Sequence, residues 1–247
     1  MDLPGDKKFD SSSDFLRLEE VHSGYGEIEV LRGVSFSVRE GEIVCLIGAN
    51  GAGESTLLKT IFGLVSLWRG RITYRGENIS GKRPEEILRQ SISLVPQGRC
   101  NFPAMTVQEN LEMGAYIRSD NRVQQDVESL MERFPVLKLK RKELAGHLSG
   151  GEQQILEMAS TLILNPMTIL LDEPSLGLSP IMVTQVFETI RKINSEGHTI
   201  IMVEQNAKQA LQVAHQAIVL ELGRKSLEGT GLEILNNENV RRSYLGQ

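Results

Sequence analysis

The sequence predicts an α/β protein: a mainly parallel sheet with helices on both faces, an antiparallel β region near the N-terminus, and a helical lobe inserted in the core at about residues 100–164. Three observations carry this prediction. Short apolar runs at Glu42–Ile47, Thr168–Leu171 and Thr199–Val203 have the length and composition of buried strands. Helical patterns alternate with them, and Val183, Val186, Phe187, Ile190 and Ile193 fall on one apolar stripe. The stretch Thr106–His147 carries many charges, a helical pattern and no strong strand, so it reads as a lobe set between strands.

Taken in order, Met1–Asp14 is polar, holds Gly, Pro and three serines, and has no apolar core of a secretory signal, so it is expected to be mobile. Leu16–His22 and Val30–Val38 alternate partly and are predicted strands. Glu42–Ile47 ends in the glycine-rich Gly48–Gly53, and Ser55–Phe62 follows as a helix. Arg71–Arg75 is a strand bracketed by Gly70 and Gly76 as turn residues. Pro84–Gln90 is a short helix with proline near its start, and Ile92–Val95 is a strand that stops at Pro96. Thr106 with Glu109, and Ser149 with Glu152, have capping-box spacing, and the second helix is expected to reach about Leu164. Ser179-Pro180 reads as an N-cap followed by proline, and Gly197 ends that helix.

The composition narrows the function classes. With 247 residues, 40% hydrophobic and 24% charged, the chain is an ordinary globular protein with a large core. A formal net charge of -5 argues against non-specific nucleic-acid binding, which needs a basic surface. No apolar run approaches the length of a membrane span. Cys45 and Cys100 form neither a CxxC nor a zinc spacing, and Cys45, in an apolar run, reads as a small buried residue.

Gly48-Ala49-Asn50-Gly51-Ala52-Gly53-Glu54-Ser55-Thr56 follows a strand and opens a helix. Glycines let the backbone aim several N–H groups at one anion, and the helix dipole adds to the attraction. Ser55 is placed for Mg²⁺ and Thr56 for a phosphate oxygen. The phosphate-loop pattern has lysine where Glu54 stands, so an attractive charge is replaced by a repulsive one. Two unit charges about 4 Å apart interact by roughly 4 kcal/mol at an effective dielectric near 20, so weakened phosphate binding is expected.

Further on, Leu148-Ser149-Gly150-Gly151-Glu152-Gln153-Gln154 is a helix start whose free N–H groups and Ser149 hydroxyl suit a terminal phosphate. Asp172-Glu173-Pro174 follows the apolar Ile169-Leu170-Leu171. Asp172 can hold Mg²⁺ through water, and Glu173 can act as general base towards an attacking water. Taken singly, the glycines fit a plain capped helix and the acids a solvated turn. Their joint order after a phosphate loop points instead to nucleotide chemistry.

These residues resemble the ABC transporter ATPase family from about Leu16 to the C-terminus. GxNGAGxST is similar to Walker A, LSGGEQQ to the ABC signature and ILLDEP to Walker B, and the signature is the specific element. The resemblance implies a P-loop NTPase core over residues 15–247 that binds ATP and Mg²⁺ and hydrolyses ATP. It implies that Gly48, Asn50, Gly51, Ala52, Gly53, Glu54, Ser55 and Thr56 cradle the nucleotide. Tyr25 matches the aromatic that stacks on adenine. Gln97 matches the Q-loop residue that senses Mg²⁺ and contacts the membrane subunit. Ser175-Leu176-Gly177-Leu178 matches the D-loop, Ser149, Gly150 and Gly151 the signature contacts, and Gln205 the switch position where many members carry histidine. Metal contacts implied are Ser55, Gln97 and Asp172, and the catalytic pair is Glu173 and Gln205.

SGYGEIEVLRGVSF, VPQGR, MTVQENLEMGAY, DEPSLGLSPI, VEQNA and VRRSYLG narrow the resemblance to ATP-binding subunits of branched-chain amino-acid importers, with urea and neutral amino-acid importers close by. Implied partners are transmembrane permease subunits, a second ATPase subunit and, indirectly, a solute-binding protein, at the cytoplasmic face of the membrane and without nucleic acid. Ser160 stands where the family usually has arginine, and Glu157 where a small residue is common. With Glu54, these departures keep open a second expectation: a subunit that lends its signature to a partner and does not itself turn over ATP. A soluble family member acting on DNA or ribosomes is disfavoured by the single compact copy and acidic balance.

Overall fold

The structure is a computed structural model that describes residues 14–98 and 100–244. Residues 1–13 of the predicted mobile segment Met1–Asp14, Arg99 of the VPQGR motif and the last three residues lie outside the described range.

Two sheets organise the chain. The strands β1 (Leu16–Tyr25), β2 (Ile28–Val38), β4 (Leu67–Tyr74) and β5 (Glu77–Asn78) form an antiparallel sheet in the order β2-β1-β4-β5. The second sheet holds β3 (Ile43–Gly48), β6 (Ile92–Val95), β7 (Thr168–Asp172), β8 (Thr199–Val203), β9 (Gln216–Glu221) and β10 (Arg224–Gly229), in the order β10-β9-β3-β8-β7-β6. All its neighbours pair in parallel except β9 with β10. Helices α1 (Glu54–Ile61), α2 (Pro84–Arg89), α7 (Pro180–Ser195), α8 (Ala207–Val213), α9 (Gly231–Asn236) and α10 (Glu238–Tyr244) complete the α/β body. Between β6 and β7 the chain runs through α3 (Val107–Gly114), α4 (Val123–Arg133), α5 (Pro135–Leu139), a 3₁₀ turn (Ala145–His147) and α6 (Gly150–Leu162).

The apolar runs form central strands because both of their faces are covered. Successive side chains point to opposite faces of a sheet. Ile43, Cys45 and Ile47 therefore join one core with Ile169, Leu171, Ile200 and Met202, against the helices. Val44 and Leu46 join a second core with Leu170, Ile201 and Val203, beneath α1 and the antiparallel sheet. Tyr74, almost fully buried, links the sheets, its hydroxyl 3.1 Å from Thr168 Oγ1. Ser23 of β1 bonds Thr60 of α1 at 2.8 Å. The stripe predicted on α7 is its buried face: Val183, Val186, Phe187, Ile190 and Ile193.

Several boundaries differ from the sequence reading. β4 begins at Leu67, so Gly70 lies inside a strand and not in a turn. Its φ of +94° and the 2.2 Å that a Cβ there would leave to the Glu20 carbonyl oxygen explain the glycine. It faces an irregularity of β1 between Glu19 and His22. α6 stops at Leu162, short of Leu164, and Asn165 follows with φ +47°. Ser179 precedes Pro180 as predicted, yet its hydroxyl makes no cap bond. Both predicted capping boxes form, at Thr106/Glu109 and Ser149/Glu152. Among the described residues no helix is long and apolar enough to cross a membrane.

Candidate nucleotide-binding site

The phosphate loop is built by its two neighbours. β3 delivers Gly48 at the carboxyl edge of the parallel sheet, and α1 starts at Glu54. Between them Gly51 has φ +85° and Gly53 φ +112°, so the chain turns where side chains are disfavoured. A Cβ on Gly53 would also lie 2.9 Å from Leu31 Cδ2. Within the loop Ala52 N–H donates to Ala49 O at 2.8 Å, and Gly223, in the β9–β10 turn, donates its N–H to Ala52 O at 3.0 Å. A cavity of about 420 Å³ opens over this loop. Asn50, Glu54, Ser55, Thr56, Glu173 and Gln205 line it.

The carboxyl ends of β7 and β8 supply the other wall. Ser55 Oγ donates to Asp172 Oδ1 at 2.6 Å, joining two residues 117 apart in sequence. Glu173 follows with φ +52°, held by its N–H to Val203 O at 2.9 Å. A non-glycine residue in that region is strained, and such strain clusters at functional sites. Gln97 Nε2 donates to Glu173 Oε2 at 3.0 Å. Gln205 Nε2 donates to Asn50 Oδ1 at 3.2 Å, so the segment after β8 reaches the loop.

Not every predicted site residue gathers here. Tyr25 ends β1, about half exposed, and does not line the cavity. Ser149, Gly150 and Gly151 start α6 away from it. Ser149 accepts the Glu152 N–H, and a Cβ on Gly151 would lie 1.8 Å from Met182 Cε.

Glu54 folds back over the loop. A Cβ built on Gly48 would lie 2.2 Å from Glu54 Oε1, and the backbone N–H groups of Gly53 and Glu54 lie near the carboxylate. Burial pushes its carboxyl above the ordinary range, the two N–H groups oppose this, and Glu173 and Asp172 add to the rise. Burial, then Asp172, likewise raises Glu173, against the Gln97 bond. Because Glu54 titrates higher in the fold than in the unfolded chain, its contribution is full below the ordinary carboxylate range and is lost as pH rises through the raised value. Glu54→Gln is therefore expected to melt a few degrees higher than the native chain at pH 7–8, with the gain shrinking towards zero near pH 4. Thermal melts across that range check this, and a gain independent of pH contradicts it.

Two neighbours were not legible in sequence. Lys59, one turn beyond Ser55 on α1, puts Nζ 3.7 Å from Asp172 Oδ2. Glu204, almost fully buried, accepts from Ser175 N–H at 2.8 Å and Ser175 Oγ at 2.7 Å, pinning the turn after Glu173 to the segment after β8. Its carboxyl is raised by burial, and the Ser175 bonds oppose the rise.

The donor set fits a divalent cation that arrives with phosphates. Asp172 Oδ2 is buried without a hydrogen-bond partner, and Ser55 Oγ stands at the other oxygen. Among the described residues no three His, Cys, Asp or Glu side chains gather to hold an ion alone. Mg²⁺ usually takes one or two carboxylates and fills its shell with water and phosphate oxygens.

A second cavity, of about 290 Å³, lies between β6 and the α3/α6 pair. Val95, Pro96, Phe102, Met113, Glu157 and Ser160 line it. Glu157 Oε1 accepts the Cys100 N–H, and Ser160 Oγ donates to Asn110 O at 3.4 Å. The two positions that depart from the family pattern thus both face this groove.

A strand–loop–helix anion cradle facing two strand-end acids, with an LSGG helix start on an inserted lobe, defines an ATP-binding cassette. The ABC transporter family model matches residues 31–176, and the chain belongs to that family, whose ATPases couple hydrolysis to transport. It is 47% identical over 231 residues to the high-affinity branched-chain amino acid transport ATP-binding protein BraG of Pseudomonas aeruginosa, covering 94% of this chain and 99% of that protein. It is 34% identical over 235 residues to the lipopolysaccharide export system ATP-binding protein LptB of Escherichia coli, covering 94% and 97%. Among solved structures, the ADP conformation of an ATP-binding cassette of an ABC transporter matches with TM-score 0.84 and 28% identity, over 95% of this chain and 99% of that one.

Proposed function

We propose that this chain is the ATP-binding subunit of an importer for branched-chain amino acids, with its own phosphate loop weakened by Glu54. The observation that carries the coupling role is the position of Gln97. Its amide bonds Glu173, while Val95, Pro96 and Cys100 beside it line the groove against the helical lobe. A permease helix seated in that groove would bear on the same segment that touches the proposed general base. The lobe inserted at about residues 100–164 and the membrane attachment through permease subunits belong to this reading.

In it, the Gly48–Gly53 N–H groups and Thr56 hold the phosphates, and Tyr25 faces adenine. Ser55 and Asp172, with Gln97, hold Mg²⁺, which neutralises phosphate charge when bound. Glu173 accepts a proton from the attacking water. Gln205, which cannot be a base, hydrogen-bonds the water or a γ-phosphate oxygen. Ser149, Gly150 and Gly151 stand apart from the loop of their own chain, which supports a site completed head to tail by a second ATPase subunit. ATP then supplies contacts that favour the closed pair, and hydrolysis removes them. Transport of the solute runs through permease subunits fed by a solute-binding protein.

Glu54 favours a second reading, in which the chain contributes its signature to a partner's ATP and turns over little of its own. Labelled-leucine uptake in cells lacking a BraG-type subunit tests both. The native chain is expected to restore little uptake and Glu54→Lys most of it. Equal uptake restored by the native chain and by Glu54→Lys favours the signature-lending subunit, and rescue of lipopolysaccharide export in place of leucine uptake contradicts the importer assignment.

A further inference from the structure

A carboxylate of the chain itself lies against the loop that cradles a phosphate in this fold. Glu54 opens α1 directly after Gly53, and its side chain turns towards Gly48, not out to solvent. A Cβ on Gly48 would meet Oε1 at 2.2 Å, so the carboxylate rests directly against the loop backbone. The N–H groups of Gly53 and Glu54, at the N-terminus of α1 and without a partner inside the helix, lie close enough to the carboxylate to pull its pKa down against the effect of burial. The same side chain lines the cavity over the loop. A carboxylate at such a cluster of N–H groups resembles the anion for which the cluster is shaped.

We propose that Glu54 is an internal occupant of the phosphate cradle: its carboxylate sits where a nucleotide phosphate would be held, so the loop is self-capped and ATP must displace it. This rests on the nucleotide-site reading above and adds a cause to it. Loss of the lysine deprives the phosphates of one cation, whereas self-capping also engages the backbone donors. The two causes separate by substitution. Removing the side chain frees the N–H groups without adding a positive charge. Replacing carboxylate by carboxamide removes the negative charge but leaves an oxygen acceptor for the same N–H groups.

The experiment is Mg-ATP binding to the full chain and to Glu54→Ala, Glu54→Gln and Glu54→Lys, with amide hydrogen exchange at residues 53 and 54 in the nucleotide-free proteins. Self-capping predicts that Glu54→Ala binds at least about tenfold tighter than the native chain, which is about 1.4 kcal/mol. It predicts Glu54→Gln between the two, Glu54→Lys the tightest, and faster exchange at residue 53 in Glu54→Ala. Equal affinity of Glu54→Gln and Glu54→Ala, with unchanged exchange, overturns the occupancy and leaves charge repulsion alone. Native-like weak binding by Glu54→Ala beside tight binding by Glu54→Lys also overturns it, while the nucleotide site stands. Failure of all four to bind overturns the nucleotide-site reading, and the exchange measurement, which needs no nucleotide, then judges the self-cap alone: unchanged exchange at residue 53 in Glu54→Ala overturns it.

Discussion

Glu54→Lys is expected to raise kcat/KM for ATP by about 10²–10³. The loop, the proposed cation pair and the acid beside it are already close together: Ser55 meets Asp172 at 2.6 Å, and Gln97 meets Glu173 at 3.0 Å. What is missing is charge. Exchanging a repulsive for an attractive unit charge near a phosphate changes the interaction by several kcal/mol at about 4 Å and an effective dielectric near 20. Reorganisation of a longer side chain and partial solvation reduce this to about 3–4 kcal/mol, which is 10²–10³ at about 1.4 kcal/mol per factor of ten. Phosphate release at ATP well below saturation reads the ratio directly. A change under threefold contradicts the electrostatic account.

Glu173→Gln, made in the Glu54→Lys background, is expected to lower kcat by about 10²–10⁴ while leaving ATP affinity within a few-fold. Glu173 ends a buried strand, holds φ +52° and bonds Gln97, so it is fixed before substrate arrives. Burial and Asp172 lift its carboxyl towards the range of a useful base. Glutamine keeps the size and one oxygen but cannot accept the water's proton. Single-turnover phosphate release beside equilibrium binding separates the two effects. A loss in affinity equal to the loss in rate would make Glu173 a binding residue and not the base.

The parallel core was legible because each central strand is covered on both faces and so must be apolar throughout, as in Ile43–Ile47, Thr168–Leu171 and Thr199–Val203. The phosphate loop was legible because its glycines sit between such a strand and a helix, and Thr106 and Ser149 announced their helices through capping boxes. β4 was read four residues short. Its first half, Leu67-Trp68-Arg69-Gly70, is largely exposed and pairs with the irregular part of β1, so no alternation marks it. The sequence reading places no strand at β9 or β10, although Ala217-Ile218-Val219-Leu220 of β9 is a buried apolar run like those of the other central strands; β10 is largely exposed and carries no such run. Site chemistry divided in the same way. Residues inside a local motif were found, whereas Lys59 at Asp172 and Glu204 at Ser175 depend on approaches across the fold that no local spacing encodes. The posture of Glu54 was also beyond the sequence: the substitution was plain, but solvent was open to its carboxylate, and only the fold directs it onto the loop.

The central claim is that this chain carries a complete ATP cradle made weak by one residue. Calorimetric titration of Mg-ATP into the native chain and the Glu54→Lys variant, side by side, tests it most directly. The account predicts weak binding by the native chain and binding at least a hundredfold tighter, about 2.7 kcal/mol, by the variant. Equal affinities, whether both tight or both absent, would contradict it.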